Sequence, residues 1–188
     1  MIVSMIRHGM TEANEKRLYC GQSDIPLSDK GKSELAGLKK TVAYPAADVY
    51  ISSGLLRADE TLRILYDKAP DAVIGELGEM DFGDFEMKSY DELKDDPGYR
   101  RWIGDIDFEA CPGGESKVIF DDRVMNGFER LCAMDVRSAV AIFHGGPIAL
   151  IMERLFPARK YFYEWQPDFG RGYTLDITSG AAALISEI

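Results

Sequence analysis

Residues 1–9 read Met1-Ile2-Val3-Ser4-Met5-Ile6-Arg7-His8-Gly9. An apolar run rich in Ile and Val, the length of a short buried strand, stops on a cation, an imidazole and a glycine. The same figure returns at Ser138-Ala139-Val140-Ala141-Ile142-Phe143, which runs into His144-Gly145-Gly146. The chain has two histidines in 188 residues, and each stands at a strand end before glycine. If the two strands are parallel neighbours, about 4.8 Å apart, both imidazoles face one pocket.

Outward from the first strand, Met10 to Ser28 is polar and aperiodic, a length that inside a compact domain marks a functional loop. Ser28 is placed to cap a helix whose apolar positions Leu35, Leu38 and Val42 keep helical spacing and which ends before Pro45. A strand over Asp48 to Ser52 follows, then a helix from about Leu55 to Tyr66 with Leu55, Ala58, Leu62 and Leu65 on one face. Helices between strands imply parallel crossovers and an α/β fold. Arg57 falls in the first turn of its helix, where a cation opposes the helix dipole. That placement near a strand end hints at use, against the ordinary alternative of a solvated surface arginine.

Val73 to Leu77 is a third short strand candidate, leading into Gly78-Glu79-Met80-Asp81-Phe82-Gly83-Asp84-Phe85-Glu86. Its carboxylates are interleaved with apolar residues, so one is expected to be buried against the pocket; Asp84 and Glu86 are expected to be solvated. Met87 to Ala110 reads as one or two short helices and a cap-like insertion within a single domain, 1–188, with Tyr90, Tyr99 and Trp102 suited to covering a ligand. After the Cys111 to Ser116 turn come an amphipathic helix through Val118, Val124, Phe128 and Leu131, the second histidine strand, and a helix from about Pro147 to Leu155. Thr174 to Thr178 and Ala181 to Ser186 close the chain as an antiparallel hairpin turning at Ser179-Gly180.

Hydrophobic residues make up 46% of the chain, enough for a full core, and 22 basic against 32 acidic residues leave a net charge of -10. That balance argues against nucleic-acid and anionic-membrane partners, and an anionic ligand would need a local basic pocket. Cys20, Cys111 and Cys132 have no metal-ligand spacing and are odd in number, which fits a reduced cytoplasmic setting. The first residues lack a charged region ahead of an apolar one, and no apolar run approaches the roughly 18 residues of a membrane span, so a soluble protein is expected. An oligomer is compatible with these counts.

The blocks Arg7-His8-Gly9 with Thr11 and Asn14, then Arg17, Gly21, Asp24, Pro26-Leu27-Ser28 and Gly31, resemble the opening signature of the histidine phosphatase superfamily, which includes cofactor-dependent phosphoglycerate mutases. The resemblance continues through Ser52-Ser53 with Arg57, Glu79 with Phe82-Gly83, Gly113-Gly114-Glu115-Ser116 with Arg123, and His144-Gly145-Gly146. It implies a three-layer αβα sandwich with a mostly parallel central sheet. It also implies a metal-independent phosphomonoesterase, without a cofactor, that hydrolyses a small phosphorylated metabolite through a phosphohistidine on His8. A neutral imidazole can attack phosphorus in line if cations hold the equatorial oxygens and an acid protonates the departing oxygen. By resemblance, Arg7, Arg57 and His144 hold the phosphoryl group and Glu79 is the acid, with Thr11, Asn14, Gly21, Gln22 and Gly145 as substrate contacts. Arginines beside His8 favour its neutral form.

The short stretch between Glu79 and the Gly113 turn is similar to the compact phosphatase branch, and Gly21-Gln22 with Asp24-Ile25-Pro26-Leu27 is similar to cobalamin-pathway ribazole-phosphate phosphatases. A phosphoglycerate mutase, a protein phosphohistidine phosphatase, and a catalytically silent phospho-ligand binding module are the alternatives. A two-histidine metal site lacks further ligands at a recognisable spacing. From the residues alone Asp81, Asp84 and Glu86 compete with Glu79; the motif separates them. The chain departs from the family at Met10, where Glu or Gln is usual, which bears on the fine substrate contacts.

Overall fold

The computed structural model describes residues 1–157, 159–178 and 181–188. Among these, six strands form one sheet in the order β3-β2-β4-β1-β5-β6. The central strand β1 (Ile2–Arg7) pairs in parallel with β4 (Ser138–Phe143), in a register that sets Arg7 against Phe143. Beyond β4 lie β2 (Val49–Ser52) and the short β3 (Ala72–Val73), both parallel. On the other side β5 (Gly172–Thr178) runs antiparallel to β1 and pairs with β6 (Ala181–Glu187).

The apolar runs of β1 and β4 are continuous because helices cover both faces of the sheet. Ile6, Tyr50, Val140 and Ile142 pack against α2 (Asp29–Thr41) and α3 (Leu56–Tyr66) through Leu35, Ala58, Leu62 and Leu65. Val3, Met5, Ala139, Ala141 and Phe143 face α6 (Lys117–Cys132) and α7 (Gly145–Leu155), with Val124, Phe128, Leu131 and Ile148 to Met152 in that layer. The result is the expected αβα sandwich, with both histidines at the same edge of the sheet. Among the described residues no helix is long and apolar enough to cross a membrane.

Three local expectations change, while the two short helices expected over residues 87–110 are present. The third strand covers only Ala72 and Val73, because β2 ends at Ser52 and the last ladder bond runs from Ile74 N to its carbonyl. Gly75 to Leu77 then form a 3-10 turn that buries Leu77. The Met10 to Ser28 stretch contains a one-turn helix, α1 (Glu12–Glu15), nucleated by a reciprocal cap between Thr11 and Asn14. α7 begins at Gly145, two residues early, since His144 takes the N-cap position. Residues 87–110 hold α4 (Tyr90–Leu93) and α5 (Pro97–Gly104), whose Tyr99 and Trp102 are buried with Tyr19, Phe82 and Phe85. The hairpin strands pair as expected; the Ser179-Gly180 turn lies outside the described residues.

Candidate active site

The register of β1 on β4 carries one residue beyond each strand, so that the His8 and His144 rings meet edge to face with centroids 5.0 Å apart. His8 is 5% exposed and His144 0%. His8 Nδ1 lies 2.6 Å from the carbonyl oxygen of Gly9. A carbonyl only accepts, so Nδ1 carries the hydrogen and Nε2 keeps its lone pair. The Gly9 amide in turn donates to Thr61 Oγ1 at 2.9 Å, and that hydroxyl donates to the Arg57 carbonyl at 2.7 Å, which clamps the turn after β1 to α3. His144 Nε2 pairs with Ser53 Oγ at 2.8 Å, leaving its buried Nδ1 without a partner among the described residues. Burial, then the Arg57 charge, hold both histidines well below the usual imidazole range.

Two arginines supply the local positive charge that the acidic chain needs. Arg7 donates from Nη1 to Pro167 O at 2.8 Å and stacks over the Phe169 ring at 4.0 Å, with Nε unpartnered. Arg57 is 1% exposed, which excludes the solvated-surface reading, and its Nη1 and Nη2 donate to Ser23 O and Gly21 O at 2.8 and 2.6 Å.

Among the acidic residues of 78–86, Glu79 is the one beside this cluster. Its Oε1 and Oε2 accept from the amides of Met80 and Gly146 at 3.0 and 3.1 Å, and burial raises its pKa against the pull of those amides, Arg57 and Arg7. Gly146 has to be glycine for this approach, since a Cβ there would sit 2.3 Å from Glu79 Oε1. The Glu79 carbonyl is fixed by Gln22 Nε2 at 2.6 Å and Arg123 Nη2 at 3.0 Å, while Arg123 also donates from Nε and Nη2 to the two carboxylate oxygens of Glu115. Asp81 turns away and accepts from Gly83 N within its own turn. Asp84 is exposed as expected, but Glu86 is not a solvated carboxylate: it collects the amides of Gly21, Gln22, Ser23 and Phe82.

A cavity of about 500 Å³ opens beside Arg7, Glu79 and Gly146. Most of its wall is apolar, built by Leu18, Tyr19, Phe82, Trp102, Ile106 and Phe120, with Asp107 and Lys117 as charged groups. Of the five anticipated substrate contacts, Asn14 lines the cavity. Thr11 is fully buried and its hydroxyl bonds Asn14 Oδ1, so it holds Asn14 in place. Gly21 gives its amide to Glu86 and its carbonyl to Arg57, Gln22 gives its side chain to Glu79, and Gly145 makes room for Arg7 Nε. The Met10 side chain is not part of the cavity lining; its carbonyl accepts the Ser28 amide.

Sequence reasoning left out the roles of Ser53, Thr61 and Arg123, and the whole contribution of residues 162–169. Thr61 stands four positions after Arg57 on the same helix face, a spacing that could have flagged it. Among the described residues all three cysteines are free, and there is no group of three or more His, Cys, Asp or Glu side chains able to hold a metal ion.

The family profile described as the histidine phosphatase superfamily (branch 1) matches residues 3–184. The adenosylcobalamin/alpha-ribazole phosphatase of Salmonella typhimurium is 32% identical over an alignment of 187 residues, which covers 96% of this chain and 92% of that protein. The crystal structure of the alpha-ribazole phosphatase from Shigella flexneri is similar with a TM-score of 0.88 at 29% identity, covering 100% of this chain and 96% of that one. The structure of a phosphoglycerate mutase from Thermus thermophilus has a TM-score of 0.76 at 26% identity, with 100% and 98% covered.

Proposed function

The chain belongs to branch 1 of the histidine phosphatase superfamily, and we propose that within it the protein is a phosphomonoesterase using His8 as nucleophile. The observation that carries this reading is the His8 Nδ1 hydrogen bond to Gly9 O, which leaves Nε2 with a free lone pair beside Arg7, Arg57 and His144. In the first half-reaction Nε2 attacks phosphorus, the ester P–O bond breaks, and Glu79 gives its proton to the departing oxygen. In the second, water attacks the phosphohistidine, Glu79 takes the proton back, and phosphate leaves with His8 restored. Arg7 and Arg57 offset the charge on the equatorial oxygens, which is the main work of an enzyme in phosphoryl transfer, and neutral His144 adds a hydrogen bond from its free Nδ1.

The cavity beside this centre supports a substrate whose alcohol half is bulky and largely apolar. A space of about 500 Å³ lined by Tyr19, Phe82, Trp102 and Phe120 far exceeds what a three-carbon phosphate fills, which weighs against a phosphoglycerate mutase. The relatives named as alpha-ribazole phosphatases support the same class, a phosphorylated nucleoside-like metabolite. Residues 87–110 would then form a cap that selects the substrate as part of a single domain.

Phosphate release tests the reading, with p-nitrophenyl phosphate, alpha-ribazole 5'-phosphate, sugar phosphates and 3-phosphoglycerate compared side by side. Turnover of the nucleoside-like ester above the others, an acid-labile phosphoprotein in the wild type, and neither in His8→Ala are expected. Isomerisation of 3-phosphoglycerate without net hydrolysis would establish a mutase instead, and ligand binding with no turnover would establish a silent binding module.

A further inference from the structure

Glu86 lies outside the cavity, yet it organises one wall of the site. Its Oε1 accepts from the amides of Gly21, Gln22 and Phe82 at 2.9, 3.0 and 3.1 Å. Its Oε2 accepts from the Ser23 amide and hydroxyl at 3.2 and 2.6 Å, and shares the Gly21 amide at 3.1 Å. All five donors are neutral, and three of them are the consecutive amides of residues 21–23. That segment is in neither helix nor strand, so this carboxylate is what satisfies its amides. Gly21 has to be glycine for the loop to close, because a Cβ there would lie 1.7 Å from Met80 O.

The carbonyls of the same loop point the opposite way. Gly21 O and Ser23 O accept from the two terminal nitrogens of Arg57 at 2.6 and 2.8 Å. Peptide dipoles thus run from a carboxylate on one side to a guanidinium on the other, with amides toward the anion and carbonyls toward the cation. Arg57 is almost wholly buried, and among the described residues these two carbonyls are the hydrogen-bond partners of its guanidinium.

We propose that Glu86 is a positioning residue for Arg57: by wrapping residues 21–23 around its carboxylate, it presents the guanidinium with a rigid pair of acceptors and so aims the donors that hold the transferred phosphoryl group. This rests on the reading of Arg57 as a phosphoryl-binding residue. Loss of the carboxylate frees the amides of residues 21–23 to turn toward solvent, the two carbonyls shift with them, and Arg57 loses its alignment with His8.

A double-mutant cycle on the full chain tests the coupling, using Glu86→Gln, Arg57→Lys and the pair. The readouts are kcat and KM on p-nitrophenyl phosphate, the inhibition constant of orthovanadate, and the melting temperature. Glu86→Gln is expected to lower kcat and vanadate affinity about tenfold in the wild-type background and less than about twofold once Arg57 is already Lys, since coupled sites are non-additive. If Glu86→Gln does not fold, Glu86→Asp, which keeps the charge and shortens the reach, carries the cycle. The same fold-loss in both backgrounds, or a lowered melting temperature with kcat and vanadate affinity unchanged, would reduce Glu86 to scaffolding and overturn the proposal while leaving the phosphatase reading intact. An Arg57→Lys variant with wild-type kcat and vanadate affinity would overturn both.

Discussion

Replacing Glu79 by Gln removes a proton donor and nearly preserves shape, so its consequences separate by leaving group. The amides of Met80 and Gly146, 3.0 and 3.1 Å from the two carboxylate oxygens, would find one acceptor where there were two. The orphaned amide costs about 1–3 kcal/mol of stability, which a melting curve reads independently of activity. On the chemical side, an alkoxide needs the proton as it departs, whereas nitrophenolate leaves readily as an anion. Phosphorylation of His8 by an alkyl phosphate is therefore expected to slow by about 10²- to 10⁴-fold, equal to about 3–5 kcal/mol of barrier, and phosphorylation by p-nitrophenyl phosphate by less than about tenfold. Water attack on the phosphohistidine still needs Glu79 as base. The variant should therefore release about one nitrophenolate per active site in a burst and then turn over slowly. Rapid-quench measurement of phosphoenzyme with both esters, on wild type, Glu79→Gln and Asp81→Asn, decides the matter. The Asp81 carboxylate accepts from Gly83 N within its own turn, and its variant should behave as wild type. Equal slowing of phosphorylation by both esters in Glu79→Gln, or a leaving-group dependence that appears in Asp81→Asn, would refute the assignment. Because burial raises the Glu79 pKa, alkyl phosphatase activity should also persist above the ordinary carboxyl range and fall as pH rises through that raised value.

Four further outcomes follow from the geometry. His8 and His144 stay neutral in the fold well below the pH at which unfolded histidines protonate, so stability is full above about pH 6.5 and falls as pH drops, by up to about 2.7 kcal/mol per unit for two protons; denaturant titrations at pH 7 and 5.5 should show it, and a His8→Asn/His144→Asn double variant should flatten the slope. Thr61→Ala takes the acceptor from the Gly9 amide and loosens the carbonyl that holds His8 Nδ1, lowering kcat on p-nitrophenyl phosphate by about tenfold with KM unchanged, while Thr61→Ser keeps the bond and the activity; equal rates in both variants would deny Thr61 that role. Tyr99→Phe removes the 2.6 Å bond to Tyr19 and should cost about 1 kcal/mol of stability with substrate preference intact. Ile106→Ala, in the cavity wall, should raise KM for a bulky ester and leave p-nitrophenyl phosphate unaffected, and an equal rise for both would return Ile106 to a packing role.

The legible part of this protein is what side-chain type and spacing encode. Strands buried on both faces read as unbroken apolar runs, so β1 and β4 stood out, and two histidines at matching ends left one arrangement to expect. Arg57 was legible because a cation in a helix's first turn is locally unfavourable and calls for an outside reason. Tyr99 and Trp102 were legible as aromatics but not as a division of labour, in which Tyr99 is spent in the core while Trp102 reaches the cavity. Glu86 was misread because its five donors are four amides and one hydroxyl, on residues 21–23 and Phe82, and a carboxylate amid Asp and Glu gives no sign of which amides it will collect.

The support of this site is mostly main chain, and that explains why it stayed hidden. His8 is set by Gly9 O, Arg7 by Pro167 O, Arg57 by Gly21 O and Ser23 O, and Glu79 by the amides of Met80 and Gly146. Peptide groups are chemically alike at every residue, so a sequence names the side chains that need holding without naming what holds them. What it does mark is where the main chain must come close. At Gly21 and Gly146 a Cβ would collide with Met80 O and Glu79 Oε1, and these glycines are the trace that the backbone scaffold leaves in the sequence. Substitution of either by Ala should therefore damage the site through Arg57 or Glu79, although neither glycine has a side chain to contribute to the chemistry.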